Sequence, residues 1–179
     1  MRKIILPPPY NKRIPKMWEI IAANVDFDGK TVLDLGCGYG DFAMRCCVAG
    51  ARAVTAIDYD PGVFVEVADI VNAARAPVNL LLGKIEDLGN WSPFDIVSCF
   101  SVLPYVDDPQ ATLRWMADHG RVCLIEMQYA GDGPGLDEVK SDADMQALLE
   151  QAGFVTITAL GFTEIEERHA RRTIWKCER

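Results

Sequence analysis

Histidine is scarce in this chain: there are two, His119 and His169, among 179 residues. The six cysteines include no Cys-x-x-Cys pair. These shortages remove the common zinc frameworks, which need closely spaced cysteine and histidine ligands, so no metal is expected. Cys37, Cys46, Cys47, Cys99, Cys123 and Cys177 sit mostly inside apolar runs. They read as free, largely buried thiols in a reducing compartment, not a disulfide frame. Positive charge is also short, with 18 Lys and Arg against 26 Asp and Glu and a net charge of −8. A broad nucleic-acid surface needs a basic patch, so nucleic acid is not the expected partner. No uninterrupted apolar run approaches the roughly 20 residues of a membrane span. Met1–Leu6 is short and is followed at once by Pro7-Pro8-Pro9, so no leader is apparent and a cytoplasmic location is expected. Repeats and low-complexity runs are missing too. The length suits one domain with a real core. Nothing in the sequence addresses oligomeric state.

What is present is organised around Thr31–Phe42, Thr-Val-Leu-Asp-Leu-Gly-Cys-Gly-Tyr-Gly-Asp-Phe. A short apolar strand runs through Val32 to Leu35. Gly36, Gly38 and Gly40 follow, and a helix starts near Asp41. Glycines at alternate positions let the backbone turn sharply and approach a ligand where a Cβ would clash. Strand, glycine turn and helix N-terminus are the parts of a Rossmann-type crevice. The plain alternative is a glycine-rich βα turn without a ligand. A second strand, Ala53–Ile57, ends at Asp58, about 20 residues after the loop, where an acidic side chain can accept both hydroxyls of a ribose.

Dinucleotide enzymes read G-x-G-x-x-G, whereas this loop reads G-x-G-x-G with Asp34 inside the preceding strand. The pattern resembles motif I of the class I S-adenosylmethionine-dependent methyltransferases. Phe94–Cys99, followed by Phe-Ser-Val-Leu-Pro-Tyr-Val, looks like that family's fourth strand and the loop after it. The resemblance covers roughly Lys30 to the C-terminus. It implies a three-layer α/β Rossmann-like sheet of order 3-2-1-4-5-7-6 with the seventh strand antiparallel. The chain then divides into an N-terminal lid or cap, 1–29, and a core, 30–179, of one domain.

The resemblance also implies a cofactor site. Asp34, Gly36, Cys37, Gly38 and Gly40 would form the loop against S-adenosylmethionine, or its product S-adenosylhomocysteine. Asp58 would clamp the ribose, and Tyr59 would pack along the adenine face. The backbone around Cys99 and Phe100 would bind the methionine amino group, and the loop Ser101–Tyr105 would face the transferred methyl. Many relatives carry an aspartate after the glycine that ends the third strand, as an acceptor for the adenine amino group. Here Lys84 follows Gly83, and lysine only donates. The Ile85 backbone, Glu86 or a water is left to hold the adenine. Close relatives often place two histidines where this chain has Pro104-Tyr105.

Before the first strand, a helix over Pro15–Asn24 carries Met17, Ile20 and Ile21 on one face. It reads as a cap on the sheet, or as a lid whose contacts would be Tyr10, Lys12, Arg13 and Trp18. Further helices are expected over Asp41–Ala49, Val63–Ala74, Ala111–Ala117 and Ser141–Gln151, and strands over Asn79–Leu82, Ile96–Cys99 and Val122–Ile125. Phe154–Leu160 and Arg172–Cys177 read as a final hairpin, with charge-dense Glu164–Arg171 between them. Cys46-Cys47 reads as packing, and Asp107-Asp108-Pro109 as a turn and helix cap. Ala130–Gly135 suits a flap on the substrate side, and His169 reads as a loop histidine.

Two side chains stand as catalytic candidates. Tyr105 would orient or stack on a substrate, or else pack under the next helix. Glu126 leaves the carboxyl end of the fifth strand, where it would bind or deprotonate a substrate, or else make a strand-end salt bridge. Methyl transfer from a sulfonium is an in-line displacement in which alignment matters most. The expectation is therefore a methyltransferase with a small-molecule acceptor. The alternatives are a non-catalytic binder of the cofactor or its product, a protein or tRNA methyltransferase working with a partner, and a nicotinamide enzyme.

Overall fold

A computed structural model describes residues 4, 6, 13–129, 135–165 and 170–179. In chain order the elements are α1 (Arg13–Ala22), β1 (Thr31–Leu35), α2 (Asp41–Val48), β2 (Ala53–Asp58), α3 (Pro61–Ala74), β3 (Val78–Leu82), β4 (Phe94–Phe100), α4 (Pro109–His119), β5 (Gly120–Glu126), α5 (Asp142–Gln151), β6 (Thr156–Ile165) and β7 (Ala170–Glu178). Short 3-10 turns at Ile85–Asp87 and Leu103–Tyr105 follow β3 and β4. The seven strands form one sheet of order β3-β2-β1-β4-β5-β7-β6. β1 to β5 are parallel, and β7 runs antiparallel to both its neighbours. This is the sheet that the motif resemblance implies.

Successive residues of a strand point to opposite faces, and the core divides accordingly. Leu33, Val97, Cys123 and Ile125 pack with Leu113 and Met116 of α4 and Met145 and Leu149 of α5. Val32, Ile96, Leu124 and Ile174 pack on the other face with Met17 and Ile21 of α1 and Phe42 and Ala43 of α2. Trp18 belongs to this second layer, its ring 5.1 Å from Phe27 and 5.7 Å from Phe42. Both faces of the sheet are thus covered, as parallel strands require.

Helix starts follow local chemistry. Asp60 caps α3 by accepting the N–H groups of Gly62 and Val63, at 2.8 and 3.2 Å, and Pro61 takes the first helical position. That cap starts the helix two residues before the expected Val63. Asp108 caps α4 in the same way through Ala111 N–H at 2.8 Å. At α5, Ser141 Oγ accepts the Asp144 N–H, and Asp144 Oδ2 accepts the Ser141 hydroxyl at 2.8 Å, a reciprocal cap. The final hairpin is longer than its composition suggests. Glu164 pairs with Arg171 and Thr163 with Arg172 across β6 and β7, and opposite charges in cross-strand register extend the ladder into what reads as a loop.

Candidate active site

The site lies at the carboxyl ends of β1, β2 and β4, where β4 departs from β1 in the opposite direction to β2. Open α/β sheets bind ligands at such a switch point. After β1, the N–H groups of Gly36 and Cys37 both donate to Ile57 O at 2.9 Å, which ties the loop down on β2. Gly36, Gly38 and Gly40 all have positive φ, +68°, +51° and +74°. A Cβ on Gly36 would stand 2.3 Å from Val102 Cγ2. One on Gly38 would meet no atom of the described residues within 4 Å.

Asp58 reaches across from the end of β2. Its Oδ2 accepts the Gly38 N–H at 2.9 Å, and its Oδ1 accepts the Asp60 N–H at 3.1 Å. The carboxylate is thereby aimed along the mouth of the loop. A cavity of about 330 Å³ opens there, lined by Asp58, Tyr59, Lys84, Ile85, Glu86 and Tyr105 among others. Glu86 Oε1 also accepts the Asp107 N–H at 2.8 Å, joining the turn after β3 to the turn after β4. Tyr59 and Tyr105 are each 62% exposed, large ring surface left to solvent on the walls of one cavity. Tyr105 therefore lines the same cavity as Asp58 and Tyr59.

A second cavity of about 200 Å³ lies on the other side of Gly36, which lines both. Its walls include Arg13, Asp34, Cys37, Gly38, Asp41 and Phe100. Asp34 is almost fully buried and accepts the Ser98 hydroxyl at 2.8 Å. Burial pushes its carboxyl up to about 7; the Ser98 hydrogen bond opposes this and the nearby Asp58 charge adds to it. In the sequence Asp41 reads only as a helix start. Its Oδ1 accepts Arg45 Nε at 2.7 Å, while its buried Oδ2 has no hydrogen-bond partner among the described residues. An orphaned carboxylate oxygen in a cavity wall is a ready acceptor for a cation. Its signal in the sequence was the acidic residue in the first turn after the glycines.

Cys99 is fully buried at the end of β4, and burial pushes its thiol up to about 12. Only its backbone is suited to a ligand. Phe100 lines the second cavity and packs edge-on against Phe42 at 4.8 Å. Gly40 seats α3, since a Cβ there would lie 2.7 Å from Val67 Cγ2.

Glu126 has no solvent exposure. It pairs with Arg13 from α1, lies 3.9 Å from Arg172 Nε, and accepts the Ser101 hydroxyl at 2.8 Å. Ser101 has φ +61°, rare for a side-chain-bearing residue, and is held there by its N–H to Glu126 O at 2.7 Å. Glu126 is not among the residues lining either cavity; it supports Ser101 and Arg13, which line the second. Tyr10, Lys12, His169 and residues 130–134 of the expected flap lie outside the described residues. Among the described residues no group of three metal-ligating side chains occurs.

Residues 32–121, half of the chain, match the family described as the methyltransferase domain. The chain belongs to that family. The match takes in the glycine loop, Asp58, both cavities' strand ends and the β4 block. Among similar proteins, a ubiquinone biosynthesis O-methyltransferase of Xanthomonas campestris pv. campestris (strain B100) is 36% identical over 109 residues, 59% of this chain and 45% of that protein. A tRNA U34 carboxymethyltransferase of Helicobacter hepaticus (strain ATCC 51449 / 3B1) is 22% identical over 183 residues, covering 88% of this chain and 58% of its own. This methyltransferase-family chain thus spans about half the length of the curated relatives it matches. Its fold is also that of magnesium protoporphyrin IX methyltransferase from Synechocystis PCC 6803, solved with bound SAM. The TM-score is 0.73 at 20% identity, over 93% of this chain and 78% of that one.

Proposed function

We propose that the two cavities together bind S-adenosylmethionine and that the protein transfers its methyl group to a small-molecule acceptor. One observation carries the reading: two cavities meet at Gly36, with Asp58 held against the Gly38 N–H between them. The residues present fit the cofactor. In this reading the larger cavity takes the adenosine. Asp58 accepts the ribose hydroxyls, Tyr59 and Tyr105 flank the adenine, and the Ile85 backbone and Glu86 meet its edge beside Lys84. The smaller cavity takes the methionine end. Gly36, Cys37, Gly38 and Gly40 supply a backbone free of side chains, while Asp34, Asp41 and the backbone at Cys99 and Phe100 receive the ammonium. The segment 1–29 would serve as a lid with Tyr10 as a contact, within a single domain of 179 residues.

The cofactor supplies an activated methyl on a sulfonium, and its leaving group is a neutral thioether. The protein's part is alignment and exclusion of water. A small acceptor agrees with the names of a similar ubiquinone biosynthesis O-methyltransferase and of the magnesium protoporphyrin IX methyltransferase, and with the net charge of −8, which disfavours a polyanion. The reduced cysteines suit a cytoplasmic setting; no helix among the described residues is long and apolar enough to cross a membrane.

A second reading, a binder without turnover, is favoured by the burial of Glu126, which leaves that candidate base behind the cavity wall. Calorimetric titration of S-adenosylhomocysteine, followed by an acceptor screen with labelled S-adenosylmethionine, separates the two. Micromolar binding lost in Asp58→Ala supports the site, and labelled product supports turnover. Folded protein that binds neither ligand refutes the cofactor assignment.

A further inference from the structure

The second cavity holds a carboxylate with no cation to answer it. Asp34 stands inside β1, 2% exposed, and lines that cavity. The Ser98 hydroxyl donates to its Oδ1 at 2.8 Å. The cations of this wall are engaged elsewhere: Arg45 with Asp41, and Arg13 with Glu126. Among the described residues no ion pair reaches Asp34.

The other titratable groups facing Asp34 do not supply a positive charge either. Cys99 on β4, Cys37 in the glycine loop and Cys46 on α2 all feel its charge, and burial above all pushes these thiols up, so they stay neutral. Asp58, at the end of β2, adds a second negative charge nearby. A carboxylate buried with one hydroxyl donor is costly to ionise. The neutral acid is then favoured, and burial accordingly raises the Asp34 carboxyl to about 7. A cation close to such a group reverses the balance. An ammonium has three donors, and Asp41 Oδ2, buried without a partner among the described residues, can share it.

We propose that the crevice is a proton-gated cofactor site, in which the cofactor's arriving ammonium ionises Asp34 and one proton is released for each cofactor bound. The Asp34 O–H bond breaks, the carboxylate pairs with the ammonium, and the proton passes to solvent. At low pH the proton competes with the ammonium for Asp34. Above neutrality Asp34 is already ionised and the competition ends. Cofactor is therefore taken up as pH rises and released as it falls. This gate rests on the cofactor reading and adds regulation to it.

The test is calorimetry of S-adenosylhomocysteine into the full chain. Phosphate is compared with imidazole at pH 6 and with Tris at pH 8, since these buffers take up a proton with different heats. About 0.9 proton should leave per ligand at pH 6 and about 0.1 at pH 8, and affinity should be about tenfold weaker at pH 6. 5′-Methylthioadenosine, which lacks the amino-acid end, should bind with neither effect. Asp34→Asn should release no proton, with an affinity flat over this range. Ser98→Ala keeps the carboxylate and removes the hydroxyl that favours its charged form, so the affinity profile should move to higher pH. This second variant carries the test where Asp34→Asn does not fold. Equal heats in the two buffers at pH 6 overturn the gate while leaving the cofactor reading standing. Proton release that persists in Asp34→Asn, or that 5′-methylthioadenosine also causes, overturns it as well. So does a profile that Ser98→Ala leaves in place. Folded wild-type protein that binds no S-adenosylhomocysteine at either pH removes the cofactor reading and the gate together.

Discussion

Asp58 Oδ2 accepts the Gly38 N–H at 2.9 Å, so the end of β2 holds the tip of the glycine loop. The same carboxylate orders its own turn through the Asp60 N–H. Replacing it removes a ligand acceptor and loosens the loop together. Asp58→Ala should lower S-adenosylhomocysteine affinity at least about tenfold, since hydrogen bonds to a charged group contribute about 1.5–3 kcal/mol. Asp58→Asn, which keeps one acceptor oxygen for Gly38, should fall between. Calorimetry reads both.

Gly36 is required for two separable reasons. A Cβ would stand 2.3 Å from Val102 Cγ2, and φ is +68°. Gly36→Ala should destabilise the fold by about 2–4 kcal/mol in urea titration, combining overpacking with a left-handed backbone. Gly36→Ala with Val102→Ala should recover the steric share only. Full recovery would show that the backbone conformation there costs nothing.

Asp34 makes stability depend on pH. Its folded carboxyl titrates near 7, against 3.8 for the free side chain. Below the unfolded value both states are protonated and the contribution is fully present. As pH rises through 4 to 7 the unfolded chain ionises first, so stability is lost. Asp34→Asn should therefore gain on the wild type as pH rises, by on the order of 4 kcal/mol at most above pH 7. Urea midpoints of both proteins at low and high pH give the difference, and a variant that loses ground to the wild type as pH rises refutes the sign.

Tyr105 is 62% exposed and shares a cavity with Tyr59. Tyr105→Ala should weaken S-adenosylhomocysteine binding about 3- to 10-fold, the scale of one aromatic contact, and leave the melting temperature of the free protein nearly unchanged. A substitution that spares affinity but lowers turnover would return Tyr105 to the acceptor side.

Glu126 is a buried anion between Arg13 and Arg172. Glu126→Gln leaves the Arg13 and Arg172 guanidiniums without that counter-charge and should cost about 3–5 kcal/mol of stability, measured by urea unfolding. A variant of wild-type stability that has lost only turnover would mark Glu126 as a base.

The strand, glycine turn and helix of Thr31–Phe42 were legible because local chemistry suffices for them: a run of apolar residues, three positive-φ positions and a helix start. Asp58 was legible for the same reason, since it ends the next strand at a fixed spacing. The caps at Asp108 and Ser141 are equally local. Sheet order came only through resemblance, because periodicity marks strands without ordering them.

Other features were decided by the tertiary structure alone. Tyr105 reads as orienting or stacking on a substrate, or as packing under the next helix; the 3-10 turn at Leu103–Tyr105 puts it, 62% exposed, on the wall of the cavity that Tyr59 lines. Glu126 reads as a base or a salt bridge, and its complete burial follows from Arg13, 113 residues away. Ser101, Gln128, Thr163 and Arg172 come together from four distant segments through strand register. The sequence by itself determined the fold family and the glycine crevice, since those depend on short-range backbone and packing preferences. Which charged and aromatic side chains line the two cavities was settled only when non-adjacent strands paired, because register and burial are long-range properties.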